Sequence, residues 1–392
     1  MLRRLDAIAG KNMLLLRVYY NRFCGKIVMD MEEWLYEELL KAYYEARAGK
    51  RRTADEQKFE LYKYEQLRSL VQEIMERTYR PSAGIAFIVN DPVQREIFAA
   101  PYPDRIVQHW VINNIDPYWD HRLIRDSYSC RVGKGTQYGI KRLQHHILSA
   151  SQNLKVPVYI IKMDITGYFM HISREKMYKR IRWGLDRQFP EGGRRFRILN
   201  HAVREIVFDD PVRGVKIQGS IEDWWKLPED KSLFCQPRGQ GMVIGNLTSQ
   251  VFSNIYLDLL DRFVVMKLGY KHYGRYVDDF YIVVTEEELP QAKRDIKVIG
   301  NYLNGLNLTL NKKKTRIIPW YQGVPFLGMV VKGKVIMPGK RVMANFGNTA
   351  YRLVGGYGNP DSIVSYLGLL YHYDSNKAIE RLFSKVGWEY RW

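Results

Sequence analysis

Apolar positions fall at helical spacing from about residue 30. In MEEWLYEELLKAYYEARAGKRR, Trp34, Leu35, Leu39, Leu40 and Tyr43 lie near a 3.6-residue period, and Gly49 stands where a helix would stop. A second amphipathic helix is predicted over 59–77. The period then shortens: GIAFIV at 84–89 and QREIFAA at 94–100 read as two strands about a turn at Asn90-Asp91-Pro92. A helix follows over 104–117. The apolar run PVYIIKM, 157–163, has the character of a buried strand and ends at Asp164. Residues 172–208 read as helix. Residues 209–240 read as loop, punctuated by Pro211, Gly214, Gly219, Pro228 and Pro237. Next come a helix over 247–268, a hairpin around Asp278-Asp279 and a helix over 286–304. Short strands are expected near 308–311, 315–318, 326–331 and 334–337, and a mainly helical end from 339. Residues 1–29 lack this patterning and read as a leader. Strands and helices mix without a regular βαβ repeat, which predicts an α+β fold.

Composition narrows the function. The 392 residues, 46% of them hydrophobic, suffice for two or three subdomains. Lys and Arg number 61 against 42 Asp and Glu, a net charge of +19. An excess of that size suits a polyanionic partner such as nucleic acid, or an acidic protein surface. The 28 tyrosines suit base stacking, or equally a Tyr-rich core. Cys24, Cys130 and Cys235 lie far apart, without metal-ligand spacing, so neither a disulfide framework nor a zinc site is expected and a reducing cytoplasm is the default. The run Met13-Leu14-Leu15-Leu16 is too short for a signal or a membrane span, so no membrane association is expected.

Candidate chemistry centres on carboxylates. Asp278-Asp279 sits inside GRYVDDFYIVV, a β-rich run in which unpartnered buried acids would be costly. Such a pair is tolerable at a hairpin tip or around a cation. The other Asp-Asp pair, Asp209-Asp210 before Pro211, reads as an ordinary loop. Asp164 follows a similar apolar strand and either caps the next segment or, if the strands are neighbours, meets Asp278 and Asp279. Hard oxygen ligands suit Mg²⁺. Two such ions about 3.5–4 Å apart can activate a 3′-hydroxyl and stabilise a leaving pyrophosphate. Because neighbouring strand residues face opposite ways, Asp278 takes the main ligand role.

Asp164-Ile165-x-x-Tyr168-Phe169 followed by Tyr276-x-Asp278-Asp279 resembles the palm of reverse transcriptases, and the resemblance runs over roughly 30–370. It implies a right-hand polymerase with fingers (30–156), a palm of antiparallel sheet plus helices (157–337, with a loop insertion at 209–240) and a helical thumb (338–392). It implies two Mg²⁺ ions, with Mn²⁺ as an alternative, held by Asp164, the Ile165 backbone, Asp278 and Asp279. By the same resemblance Arg95 grips the incoming triphosphate, to which a guanidinium fork is suited. Phe169 is the steric gate against a ribose 2′-hydroxyl, and Lys314 of LTLNKKKT neutralises pyrophosphate. Arg131 and Lys134, in SYSCRVGKGT, contact nucleic-acid phosphates, and Phe326 with Gly328 belongs to a primer-grip hairpin. The chain departs from the pattern at Val93-Gln94, where relatives often carry Lys.

Met242-Val243-Ile244-Gly245-Asn246-Leu247-Thr248-Ser249-Gln250 separates the subtypes. Most reverse transcriptases carry Gln-Gly-x-x-x-Ser-Pro here; Ile244 and Gln250 instead resemble the reverse transcriptases of diversity-generating retroelements of bacteria and phages, whose palm is similar to that of retron and group II intron enzymes. Ile244 and Gly245 would line the nucleotide site, and Ser249 and Gln250 the nucleic acid. Isoleucine can neither donate nor accept a hydrogen bond. Losing one of about 1–2 kcal/mol relaxes discrimination by roughly 5–30-fold. The resemblance implies error-prone copying of a template-repeat RNA into adenine-mutagenised cDNA for mutagenic retrohoming, with a small helical oligomeric accessory variability protein as partner. Trp224, Trp225 and Lys231 are candidates for a partner or RNA contact, or simply part of a covering loop. The alternatives are a retron or group II intron-type enzyme without the mutagenic role, and an RNA-binding scaffold that does no chemistry.

Overall fold

The computed structural model describes residues 30–48, 53–90 and 93–387. The leader at 1–29, the Gly49 stop and the Asp91-Pro92 part of the predicted turn lie outside them.

Three helices open the described chain: α1 (Met31–Arg47), α2 (Ala54–Leu61) and α3 (Lys63–Glu76). Asp30 caps α1 by accepting the Met31 N–H. The single helix expected over 59–77 is broken at Tyr62, so that Phe59 and Leu67 both reach the core. Strands β1 (Ile85–Val89) and β2 (Arg95–Ala99) pair antiparallel, Val89 opposite Arg95. Helix α4 (Tyr102–Arg122) runs on past Pro117, beyond its predicted end, because burying Trp119 rewards the extra turn. Helix α5 (Thr136–Ala150) leads to β3 (Val158–Thr166), which continues through Asp164 rather than ending at it. After the short α6 (Tyr168–His171), the predicted 172–208 helix is two, α7 (Arg174–Gln188) and α8 (Gly193–Phe208), parted where Gly192 and Gly193 take positive φ.

Residues 209–240 are largely irregular but not a free loop. Their strand β4 (Lys216–Ile217) adds parallel to β1, and α9 (Glu222–Trp225) follows. Then come α10 (Leu247–Arg262), β5 (Tyr273–Tyr276), β6 (Asp279–Thr285), α11 (Leu289–Gly305), β7 (Thr309–Leu310) and β8 (Arg316–Pro319). The strand predicted at 326–331 is a hairpin, β9 (Val324–Phe326) and β10 (Met329–Lys332), joined by Leu327 and Gly328, both with positive φ as a two-residue turn requires. Strand β11 (Val335–Pro338) completes that small sheet. Helices α12 (Lys340–Val354), α13 (Pro360–Leu370) and α14 (Asn376–Lys385) end the described chain.

The central sheet runs β5-β6-β3-β7, with β8 also pairing β3. Alternation divides its sides. Ile161, Met163, Ile165, Phe280, Ile282 and Val284 face a large core shared with α1, α4, α7, α8 and α10. Val158, Ile160, Tyr281 and Val283 face a second core built with α5, β9–β11 and the C-terminal helices. Among the described residues no helix is long and apolar enough to cross a membrane.

Candidate active site

Asp164 stands directly opposite Asp279 in the β3–β6 pairing. Facing residues of an antiparallel pair project to the same side, so both carboxylates share one face of the sheet. Asp278 is not in a strand. It occupies the turn between β5 and β6, one residue after Val277, whose φ of 55° is costly for a β-branched side chain. That strain is held by two bonds: the Val277 N–H donates to Ser129 Oγ at 3.2 Å, and Arg275 Nη1 donates to the Val277 carbonyl at 3.0 Å. Arg275 is fully buried and also forks onto both oxygens of the equally buried Asp261, each at 2.7 Å.

Burial, followed by repulsion from Asp164, pushes the Asp278 carboxyl up to about 6. Burial also raises Asp279 to about 6, against the opposing pull of Lys162. The Lys314 ammonium sits 3.0 Å from each Asp164 oxygen, and Lys162 Nζ lies 3.0 Å from Asp279 Oδ2. Asp279 Oδ1 is buried without a hydrogen-bond partner. An acceptor-only oxygen in that position, beside two more carboxylates, fits a hard divalent cation. As placed, though, no three Asp, Glu, His or Cys side chains among the described residues close tightly enough to grip an ion. The lysines supply positive charge there instead. The Ile165 side chain is buried in the core, leaving only its backbone for any ligand role.

The other expected residues divide in two. Phe169 and Ile244 pack in one small apolar cluster with Phe98, Met170 and Leu233, so the candidate steric gate and the isoleucine of the 242–250 segment are brought together. The Phe98 N–H donates to the Ile244 carbonyl at 3.1 Å, tying this segment to β2, at whose start Arg95 lies exposed. Gly245 is needed here: with φ at +127°, an added Cβ would stand 2.9 Å from the Phe98 carbonyl oxygen. Ser249 is buried in the first turn of α10, while Gln250 is exposed.

Three expectations do not match the placement, the first being Ser249, which at 2% exposure is sealed inside the protein and not open to nucleic acid. Arg131 is spent inside the protein, donating to Asp120 Oδ1 at 2.5 Å and to the carbonyls of Asp120, Ile124 and Ser127. Its side chain is 5% exposed, so it stitches the turn together rather than reaching for phosphate. Phe326 is likewise buried, edge-on to Tyr281. Gly328, two residues on, shares the tip of the β9–β10 turn with Leu327. Lys134 donates to the Arg125 carbonyl at 2.8 Å, and burial, then Arg131, brings its ammonium down to about 8.

Residues 94–331 match the family model described as reverse transcriptase (RNA-dependent DNA polymerase). The chain belongs to the reverse-transcriptase family. Its fold is the right-hand polymerase fold of mixed helices and antiparallel sheets. No curated protein matches. Among solved structures, a telomerase from Candida albicans in complex with a fragment of telomeric RNA is similar at 13% identity and a TM-score of 0.48, over 80% of this chain and 56% of that one. Apo telomerase from Candida tropicalis is similar at 14% identity and a TM-score of 0.43, over 78% and 59%. The chain thus spans a little over half the length of these telomerase chains.

Three residues of this reverse transcriptase carry weight that sequence reading missed. Lys162 and Arg275 were hidden as ordinary strand cations; the partner of Lys162, Asp279, lies on a distant strand, and that of Arg275, Asp261, lies in the preceding helix α10. Glu96, 1% exposed, accepts from Trp224 Nε1 at 2.7 Å, Ser232 Oγ at 2.8 Å and the Leu233 N–H at 2.7 Å, and so clamps the 209–240 segment onto β2. Trp224 is therefore a structural tie, whereas Trp225 is exposed.

Proposed function

We propose that this chain copies an RNA template into DNA, with Asp164, Asp278 and Asp279 holding two Mg²⁺ ions. The observation that carries the reading is the cross-strand pairing of Asp164 with Asp279, with Asp278 in the adjoining turn. The bound ions would neutralise charge on the triphosphate and on the attacking 3′-hydroxyl. The chain's own residues do the rest. Arg95 engages triphosphate oxygens from β2, Phe169 shuts out a 2′-hydroxyl, and Lys314, already beside Asp164, meets the leaving pyrophosphate. Fingers, palm and thumb divide near residues 156 and 337. The test is primer extension on an RNA template with dNTPs and Mg²⁺. Wild type extends; Asp278→Ala and Asp164→Ala make no product. Extension by either variant overturns the reading. Phe169→Ala should admit rNTPs.

The finer reading is a mutagenic reverse transcriptase of a diversity-generating retroelement, copying a template-repeat RNA with an accessory variability protein. It is supported by Ile244 packing against the same small apolar cluster as Phe169, with a side chain unable to hydrogen-bond to a base pair. Ile244→Gln should reduce misincorporation opposite template adenine several-fold. An unchanged error spectrum would favour a retron or group II intron-type enzyme.

A further inference from the structure

On the side of the sheet away from the carboxylates, the helices that cover the large core carry a surface of unusual make-up. Trp183 on α7 is half-buried against Trp119, ring centroids 5.9 Å apart. Three guanidiniums gather on its ring: Arg187 at 3.8 Å, Arg180 at 4.3 Å and Arg122 at 5.1 Å from the centroid. Nearby on α7 and α8, Arg182 lies over Phe196 at 4.7 Å, and Arg195 lies over Trp34 of α1 at 4.0 Å.

These cations differ in what neutralises them. Arg180 is paired with the buried Asp258, and Arg182 with Asp186. Arg122, Arg187 and Arg195 are exposed, and among the described residues none of the three has a carboxylate partner. A protein that needed these arginines only for packing would let acids offset them. Here aromatic faces hold the planar groups flat, which fixes their position; Arg187 gives one Nη1 N–H to the Trp183 carbonyl at 3.3 Å and keeps its other donors. A fixed guanidinium with open donors is suited to phosphate oxygens, which it can meet two at a time. The sheet separates this surface from Asp164 and Asp279, which project from the opposite face, so it cannot serve the template–primer at the polymerising centre.

We propose that the Arg122–Arg187–Arg195 surface docks the phosphate backbone of a folded RNA, outside the catalytic cleft. The inference rests on the reading of this chain as an enzyme that works on RNA. An RNA partner is favoured over an acidic protein by the flat stacking of the guanidiniums and by the chain's net charge of +19. Contacts of this kind read the shape and charge of an RNA helix, not its sequence.

The test compares the full chain with its Arg122→Gln/Arg187→Gln/Arg195→Gln variant. Affinity for an RNA hairpin of about 20 base pairs, carrying no primer, is measured from about 50 to 200 mM salt. Each lost phosphate contact removes about 0.7–0.9 from the slope of log affinity against log salt, so the variant should lose about two units of slope and bind at least tenfold more weakly. The Arg→Lys triple variant keeps the charge and loses the stacking fork, and should fall between the two. Extension of a short primer–template should stay at the wild-type rate in all three proteins, which keeps this proposal separate from the polymerase reading. Thermal melting confirms that the variants are folded. Unchanged affinity and slope in the folded glutamine variant overturn the proposal and leave an acidic protein as the occupant. A loss of short-primer extension equal to the loss of hairpin binding also overturns it, because the surface would then belong to the catalytic cleft.

Discussion

Lys162 Nζ lies 3.0 Å from Asp279 Oδ2, reaching diagonally from β3 to β6 on the face that also bears Asp164. Its ammonium lies 5.7 Å from the centre of the buried Phe326 ring. The lysine is therefore a built-in counter-charge for an acid that has no other partner on its second oxygen. Lys162→Met should destabilise the metal-free protein by about 1–2 kcal/mol, less than a wholly buried pair would cost because water still reaches both groups. Lys162→Met/Asp279→Asn should recover most of that loss. Urea melts of the two variants check both values, and equal melts for the single and double variants would contradict the pairing.

Arg275 holds the hairpin from beneath. Replacing it with lysine keeps the charge but cannot make the fork onto Asp261 and also reach the Val277 carbonyl. Arg275→Lys should cost about 3–5 kcal/mol, with loss of extension activity greater than the melting curve alone explains, since Val277 would relax and carry Asp278 with it. Denaturation and single-turnover rates on the same preparation separate the two effects.

Gly245→Ala places a methyl group against the Phe98 carbonyl and demands a backbone conformation that alanine resists. About 1–3 kcal/mol of strain is expected. Because the strain falls on the junction between β2 and the Ile244 segment, the apparent KM for dNTP should rise more than kcat falls. A KM unchanged within error would show that this junction does not shape the nucleotide site.

Asp104 gives a pH dependence free of the metal site. It accepts from the Tyr79 hydroxyl at 2.7 Å and the Ser82 N–H at 2.9 Å, yet burial raises its carboxyl to about 6. Unfolded, it titrates near 3.9. The folded form thus keeps its proton longer, so this group's contribution to stability is complete below pH 4 and disappears as pH rises through 6. The change is about 2–3 kcal/mol. Asp104→Asn should flatten the fall in Tm between pH 4 and 6.5. Asp209, which burial also raises to about 6 and which lines a cavity together with Asp104, shares the slope that remains with Asp278 and Asp279.

The reach of sequence reading can be judged on particular residues. Asp164 and Asp278-Asp279 stood out because strongly apolar strand runs surround them, and the two strands proved to be neighbours. The hairpin at Leu327-Gly328 was legible only through the resemblance at Phe326 and Gly328; the apolar run itself reads as one strand, since it gives no sign of reversing when a leucine adopts positive φ. The break at Tyr62 was invisible for a similar reason: no Gly or Pro marks it, and only the competing demands of two core contacts produce it. Arg131 misled because a basic residue among glycines looks available, while its partner Asp120 sits in the preceding helix, where nothing local announces it. Arg275 and Glu96 were silent for the same cause, their meaning being set by tertiary neighbours.

The clamp on Glu96 has a mechanical consequence. The two-residue strand Lys216–Ile217 and the three donors on that buried carboxylate fasten a segment that departs from α8 to the sheet that presents Arg95. Swinging this sheet outward would strip the buried Glu96 carboxyl of all three donors at once, at a cost on the order of several kcal/mol. The segment and the β1–β2 sheet therefore behave as one body, and a displacement of Arg95 carries the 209–240 segment with it.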